Sequence, residues 1–342
     1  MKTENGKHRT ENDIVRRILM VALLLVLNSP FSVLRSQDIH FSQTDFNPIL
    51  INPAYSGFFD GSGRFGLSYR NQWASVSKAF QTIAATAECP IVRRRYHHDG
   101  ISFGAILYND RAGSLHYGTT AANAILSYYR ALSNSNDNFL SVAAEVGFGQ
   151  AGFRTDNLQM EDPSDDISAN SANFFSIGLG VAWFYQPNDD FYLKVGIAGR
   201  NLNEPDISYL TLDDAVIHRK FSFYSRAEYR AGSTFSILPV AALTLQNKYT
   251  EASIGCDAKF YLSESAGHQL ALSSGLHYRW RDAALVQFSV EYNAFIFALL
   301  YDANLSKLTP ASKSIGSFEL TIVYRLIRNH RVNRKAMPCP II

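Results

Sequence analysis

Long apolar runs are the feature this chain most clearly lacks. No internal run reaches the ~20 residues of a membrane-spanning helix, which excludes a helical membrane protein. Cysteine is scarce: Cys89, Cys256 and Cys339 make an odd count with no CxxC pair and no metal-ligand spacing. Neither a disulfide framework nor a structural zinc site is expected from them. Charged residues are only 18% of the chain against 46% hydrophobic, too little charge for a disordered or nucleic-acid-coating protein. There is no phosphate loop, no GxSxG nucleophile elbow and no HExxH pair. No cofactor, metal or catalytic residue is expected.

What the chain has in excess is aromatic side chains, with 23 Phe, 18 Tyr and 3 Trp against 4 Met. Flat rings pack well on pleated surfaces, so this bias favours strands. The formal charge of +2 is concentrated at the amino end: residues 1–36 hold six basic and three acidic residues, leaving 26 basic and 27 acidic residues in the remainder. Arg16 and Arg17 precede an uncharged stretch from Ile18 to Leu27, then Asn28, Ser29 and Pro30. That order has the shape of a secretory signal, with the mature chain expected from about Gln37.

Past residue 62 one pattern repeats, about ten residues of alternating character followed by a polar interruption. In the clearest case Leu140, Val142, Ala144, Val146 and Phe148 share one face, and Ser141, Ala143, Glu145, Gly147 and Gly149 the other. Fourteen such segments begin near Arg64, Gln81, Ile101, Tyr117, Phe139, Phe174, Phe191, Lys220, Phe235, Ala252, Gln269, Leu285, Phe295 and Ser317. The face opposite the apolar one is small or sparsely ionisable rather than densely charged. That arrangement predicts an all-β transmembrane antiparallel barrel of about 14 strands, apolar towards lipid and polar inside, with Tyr69, Tyr128, Tyr185, Trp280 and Tyr324 at interfacial depth. Closure also satisfies the strand edges that hydrocarbon does not tolerate.

Alternate connections are short, at Asn134–Asn138, Gln186–Asp190, Arg230–Ser233, Ser263–Gly267 and around Asn293. The intervening ones include Gly149–Asn173, Asn201–Arg219 and Ser306–Gly316. This asymmetry is that of an outer-membrane barrel with both termini periplasmic. Pro90–Gly100 is long for a turn and Arg281–Ala283 short for a loop. The expected organisation is a signal at 1–36, an Asn-Pro-rich segment at 37–62 that is periplasmic or luminal, a barrel at 63–327 and a basic periplasmic tail at 328–342.

After the signal come Phe41, Ser42 and Gln43, then Phe46-Asn47-Pro48 and Asn52-Pro53-Ala54-Tyr55. Two Asn-Pro steps five residues apart read as ordered turns, since each Pro lacks an N–H and restrains its predecessor. Tyr69-Arg70-Asn71-Gln72-Trp73 closes the first strand, and Tyr301-Asp302 with Asn304, Phe318-Glu319-Leu320, Tyr324-Arg325 and Cys339-Pro340 stand near the other end. On these strings the chain resembles the PorP/SprF family of outer-membrane proteins of the type IX secretion system of Bacteroidetes. The resemblance implies a non-enzymatic barrel, similar in architecture to the long-chain fatty-acid transporter group, that serves protein secretion or gliding motility. It implies a secreted or cell-surface adhesin-like partner and periplasmic peptidoglycan-associated components of the machine, with outer-membrane lipid around the barrel.

Other readings remain open on the residues. Arg325, Arg328, Arg331, Arg334 and Lys335 form a run without an acid, either a solvated tail or a dock for an acidic partner. Lys194, Arg226, Glu228, Asp257, Lys259 and Glu291 face inward, where they line a channel of a porin or small hydrophobic-molecule transporter, or pair to plug it. His277 with Ser273 or Ser289 can be set together as a nucleophile with its base, as any chain with nine His and many Ser permits. His97 and His98 adjoin Arg93, Arg94 and Arg95, a solvated loop too short to indicate nucleic acid. Glu161, Asp162, Asp165 and Asp166 cluster in the longest loop without EF-hand spacing.

Overall fold

The computed structural model describes residues 40–43, 45–59, 61–72, 80–94, 98–112, 117–133, 135, 137–152, 171–208, 215–265, 268–305 and 315–327. The strands are β1 (Gly63–Gln72), β2 (Phe80–Arg94), β3 (Asp99–Ala112), β4 (Tyr117–Ala131), β5 (Asn138–Gly152), β6 (Ser171–Asn188) and β7 (Phe191–Arg200). They continue as β8 (Lys220–Arg230), β9 (Phe235–Gln246), β10 (Tyr249–Ser265), β11 (His268–Arg279), β12 (Ala283–Tyr292), β13 (Phe295–Asn304) and β14 (Ile315–Leu326). Each strand pairs with its sequence neighbours, and β1 closes on β14 in an unbroken antiparallel ladder from Gly63 opposite Leu326 to Gln72 opposite Ser317. The result is a closed barrel of fourteen strands, and every expected strand start lies within three residues of the observed one.

Alternation decides the wall. Along β5 Leu140, Val142, Val146 and Phe148 are exposed on the outer face, while Ser141, Ala143 and Glu145 are buried inside. The same division puts Phe288, Val290 and Tyr292 of β12 outside and Gln287, Ser289 and Glu291 inside. A belt this apolar is stable only against hydrocarbon. The free cysteines Cys89 and Cys256 also lie on the exposed face.

The rim that carries Gly63 and Leu326, here the near rim, also carries the short connections, including Asp189–Asp190 and Asn293–Ala294. The far rim carries the links at 153–170, 201–219 and 305–314. Two connections depart from expectation. The supposed long turn after Pro90 is shorter, because β2 runs on to Arg94 across a register slip between Pro90 and Val92. A bulge tolerates a residue without an N–H, so Pro90 does not end the strand. On the far rim only Asn247 and Lys248 separate β9 from β10.

Candidate functional site

Residues 40–43 and 45–59 occupy the lumen, and this is why the inward faces of the strands are buried. The segment is tied to the near rim by Ser62 N–H donating to Leu326 O at 2.8 Å. Above that point Phe58 stacks on Phe184 at 3.7 Å, and Ser102 and Ser127 both donate their hydroxyls to Ser56 O, at 2.8 and 3.0 Å. Tyr55 lies edge-on to Phe184 and Tyr224 and donates to Tyr224 O at 3.1 Å. Further along, Arg200, the last residue of β7, donates to Ile49 O at 2.6 Å and to Leu50 O. His40 finally accepts from Arg70 at 2.7 Å through its carbonyl and lies beside Glu251, near the far rim. The barrel's own ends share the near rim as expected, yet the preceding segment threads the lumen, so residue 40 lies at the opposite end.

The Asn-Pro steps are the fasteners. Each proline opens a short 3-10 turn, Pro48–Leu50 and Pro53–Tyr55, where its missing N–H costs nothing. Asn52 Oδ1 accepts from Ala54 N–H at 2.9 Å while Nδ2 donates to Val181 O and Ile197 O, at 3.0 and 3.1 Å. Asn47 donates to Ser68 at 2.7 Å and accepts from Thr86 at 2.9 Å. Wall glycines make the room. A Cβ added at Gly180 would lie 2.2 Å from Asn52 Oδ1, and one at Gly196 would lie 2.6 Å from the Tyr55 hydroxyl.

Charge is paired across the interface between wall and segment. Asp45 bridges Arg226 and, at 3.9 Å, Lys194. Arg226 also meets Asp257 at 3.3 Å, which accepts from His277 at 2.8 Å. Glu319, wholly buried on β14, takes the N–H groups of Ser42 (2.9 Å) and Gln43 (2.9 Å) and sits 3.3 Å from Arg70. Glu88 joins Arg64 at 2.7 Å to Gly57 N–H at 3.1 Å. Carboxylates and guanidinium groups buried this deeply persist because each is partnered.

A sequence model of the type IX secretion system membrane protein PorP/SprF matches residues 33–324. The chain belongs to the PorP/SprF family. That family is one of secretion-system membrane barrels and not of enzymes, and with the closed apolar-belted barrel it makes this an outer-membrane protein. No curated protein matches the chain. Among solved structures the barrel is similar to the toluene transporter TbuX of Ralstonia pickettii, with TM-score 0.48 and 11% identity over 81% of this chain and 92% of that one. A Pseudomonas aeruginosa FadL homologue gives 0.48 and 8% over 80% and 93%. CdiB from Acinetobacter baumannii gives 0.41 and 10% over 77% and 60%.

The PorP/SprF motif residues converge from both ends of the chain. Phe41, Ser42, Gln43, Phe46, Asn47, Pro48, Asn52, Pro53, Ala54 and Tyr55 are all in the lumen. Arg70 points in to His40 and Glu319, whereas Tyr69 and Asn71 alternate outward and bond to each other at 3.2 Å. Gln72 accepts from Arg70 at 3.1 Å, and Trp73 lies outside the described residues. Tyr301 is on the outer face, while Asp302 and Asn304 are buried, Asp302 accepting from Ser317 Oγ at 2.7 Å and from Arg279 at 3.3 Å. Arg279 in turn reaches Ser42 Oγ, so the two motif strings meet through it.

The inward charges of the PorP/SprF barrel form pairs. Besides the network around Asp45, Lys259 meets Glu291 at 2.8 Å and Glu228 accepts from Tyr261 at 2.5 Å. His277 is held by Asp257 rather than set against Ser273 or Ser289. Arg325 is not in a tail: it is a buried wall residue donating to Asn293 O at 3.1 Å. Arg328, Arg331, Arg334 and Lys335 lie outside the described residues, as do His97, Arg95 and the cluster Glu161, Asp162, Asp165 and Asp166. Glu319 entered the sequence reading only within the string Phe318-Glu319-Leu320, and neither Glu88 nor Arg279 was assigned a role there. Their signal was present, a charge on the small-residue face of a strand, but what each charge meets depends on the path of the luminal segment.

Proposed function

We propose that this barrel acts in type IX secretion as a closed outer-membrane scaffold that assists export or surface anchoring of an adhesin-like partner. In this reading the far rim, with its long links, meets the secreted partner, and the near rim meets periplasmic peptidoglycan-associated components. The observation that carries it is the occupied lumen: a segment seated on wall glycines, bonded to the wall and ion-paired with Arg226 fills space that a porin needs open. The signal at residues 1–36 and a role in gliding belong to the same proposal.

Single-channel recording of the purified protein tests it. The intact protein is expected to be silent, and a variant lacking residues 38–60 to conduct. Steady conductance by the intact protein would overturn the closed-scaffold reading in favour of a porin or small-molecule transporter. Crosslinking in native membranes identifies what leaves with the barrel. Recovery of a secreted surface protein and periplasmic machine components is expected.

A further inference from the structure

The luminal segment is held in two different ways along its length. From Asn47 to Phe59 it is held chiefly by shape, with Arg200 donating to Ile49 O and Leu50 O and Glu88 accepting from Gly57 N–H as additional ties. Ile49, Ala54, Tyr55 and Phe58 belong to one apolar cluster with wall residues such as Ile125, Tyr129 and Phe184. Wall glycines receive Asn47 at Gly66, Asn52 and Pro53 at Gly180, Tyr55 at Gly196 and Ser56 at Gly104. From His40 to Phe46 the fastening changes character. No described wall glycine makes room for these residues, and the apolar cluster around Phe46 is small, with Ile296, Ala298 and Val323. Ionic groups dominate the hold on this part: Glu319 on two backbone N–H groups, Arg70 on His40 O, Arg279 on Ser42 Oγ, and Arg226 and Lys194 on Asp45.

Beside this stretch lies a cavity of about 70 Å³ lined by His40 to Gln43, by Leu50 and Ile51 near the start of the shape-held part, and by wall residues that include Glu251 and Arg279. It has room for a few water molecules. Water there offers replacement partners to charged groups on release, which a dry apolar contact does not have.

We propose that the plug has two parts: residues 47–59 are a fixed anchor, and residues 40–46 are an electrostatically fastened strap that unseats on its own and widens the far mouth. Glu319 and Asp45 are the fasteners, one taking the strap's backbone and the other carried on it. The proposal rests on the lumen being occupied, as above, but concerns which part of the occupant moves. Charge-assisted bonds hold firmly while both partners stay in place, and loss of one charge removes most of the fastening. Loss of the anchor would instead expose a packed aromatic cluster.

The test is thiol accessibility in the purified full-length protein in detergent micelles, with Cys89, Cys256 and Cys339 replaced by Ala. Ser42→Cys reports the strap and Ser56→Cys the anchor, each reacted with a bulky maleimide. In the otherwise unchanged chain both are expected to be protected. Adding Glu319→Gln is expected to raise the rate at position 42 by about tenfold or more, the scale on which one charge-assisted hydrogen bond changes an equilibrium, and to leave position 56 protected. Asp45→Asn, which leaves the wall intact, is expected to act in the same direction and serves if Glu319→Gln fails to assemble. Unchanged protection at position 42 in the assembled variants overturns the proposal. A parallel rise at both positions also overturns it, since the segment then moves as one. Rapid labelling of position 56 in the unchanged chain would be a failure of the occupied lumen itself, and is distinguishable from both.

Discussion

At Gly66 an added Cβ would lie 1.9 Å from Asn47 Oδ1 and 2.6 Å from Thr86 Oγ1, so the wall and the segment touch where a side chain is missing. Gly66→Val suits a strand by propensity but removes the seat of Asn47 and both its hydrogen bonds, a loss of about 1–3 kcal/mol for buried polar groups. The expected outcome is an assembled barrel in which the Leu50 and Ile51 amides, bonded to Asn47 O and Pro48 O, lose hydrogen-exchange protection while β5 and β6 keep theirs. His40 gives a pH prediction. Burial, then Arg70, Arg279 and Lys220, hold its pKa well below the ordinary value of ~6.5. Glu251 at 3.3 Å does not reverse this, because its charge is shared with Arg279 at 3.6 Å and Tyr249 at 2.7 Å. His277 shares the cavity, and Glu319 lies beyond Ser42. The seated imidazole is neutral where the unseated one takes a proton. Seating is therefore weakened as pH falls below ~6.5 and continues to weaken down to the lower seated pKa. Exchange of the Ser42 and Gln43 amides should accelerate between pH 7.5 and 5 beyond its intrinsic pH dependence, and His40→Gln should abolish that excess.

Strands were legible because lipid and lumen write opposite residues at alternate positions. Phe191, Leu193, Val195 and Ile197 face out, and Tyr192, Lys194, Gly196 and Ala198 face in, as their alternation indicates. The continuation of β2 past Pro90 was not legible, since a proline signals a break and only the pairing partner Ser102 reveals the bulge. The luminal path was not legible either. Asn47-Pro48 and Asn52-Pro53 specify turns, but the partners of Asn52 are backbone carbonyls of Val181 and Ile197, more than a hundred residues away and chemically anonymous in a sequence. The placement of Ser56 against Ser102, with hydroxyls 3.3 Å apart, offers a lock at this level. In a chain whose own cysteines are replaced, Ser56→Cys with Ser102→Cys is expected to form a disulfide and fix the anchor to β3. Export of the partner should be equal with the lock closed and reduced. Export that stops on locking and returns on reduction would make the lumen the route and the scaffold reading wrong.

Across the whole molecule, membership of the family and the closed barrel were both visible in the chain, whereas the division of its basic end was not. Arg325 sits on the inward face at the bottom of β14 and donates to Asn293 O, so one of the five cations belongs to the wall and is already used. The described chain ends just beyond it, at Ile327 on the near rim, where Arg328, Arg331, Arg334 and Lys335 follow without an intervening acid. The two groups should separate on mutation. Arg325→Ser leaves a carbonyl of the β12–β13 turn without its donor and is expected to destabilise the barrel by about 1–3 kcal/mol, read as a lower temperature for heat-modified electrophoretic mobility. Replacing the other four by Ser is expected to leave barrel stability unchanged, while the yield of periplasmic components crosslinked to the barrel falls and becomes insensitive to salt. Charge at a solvated surface acts on encounter and orientation and is screened beyond ~8 Å at physiological ionic strength, so the salt response distinguishes docking from inert solvation. An unaltered yield at low salt would show that the near rim recruits its partners through the turns between strands, and that the tail is no part of that surface.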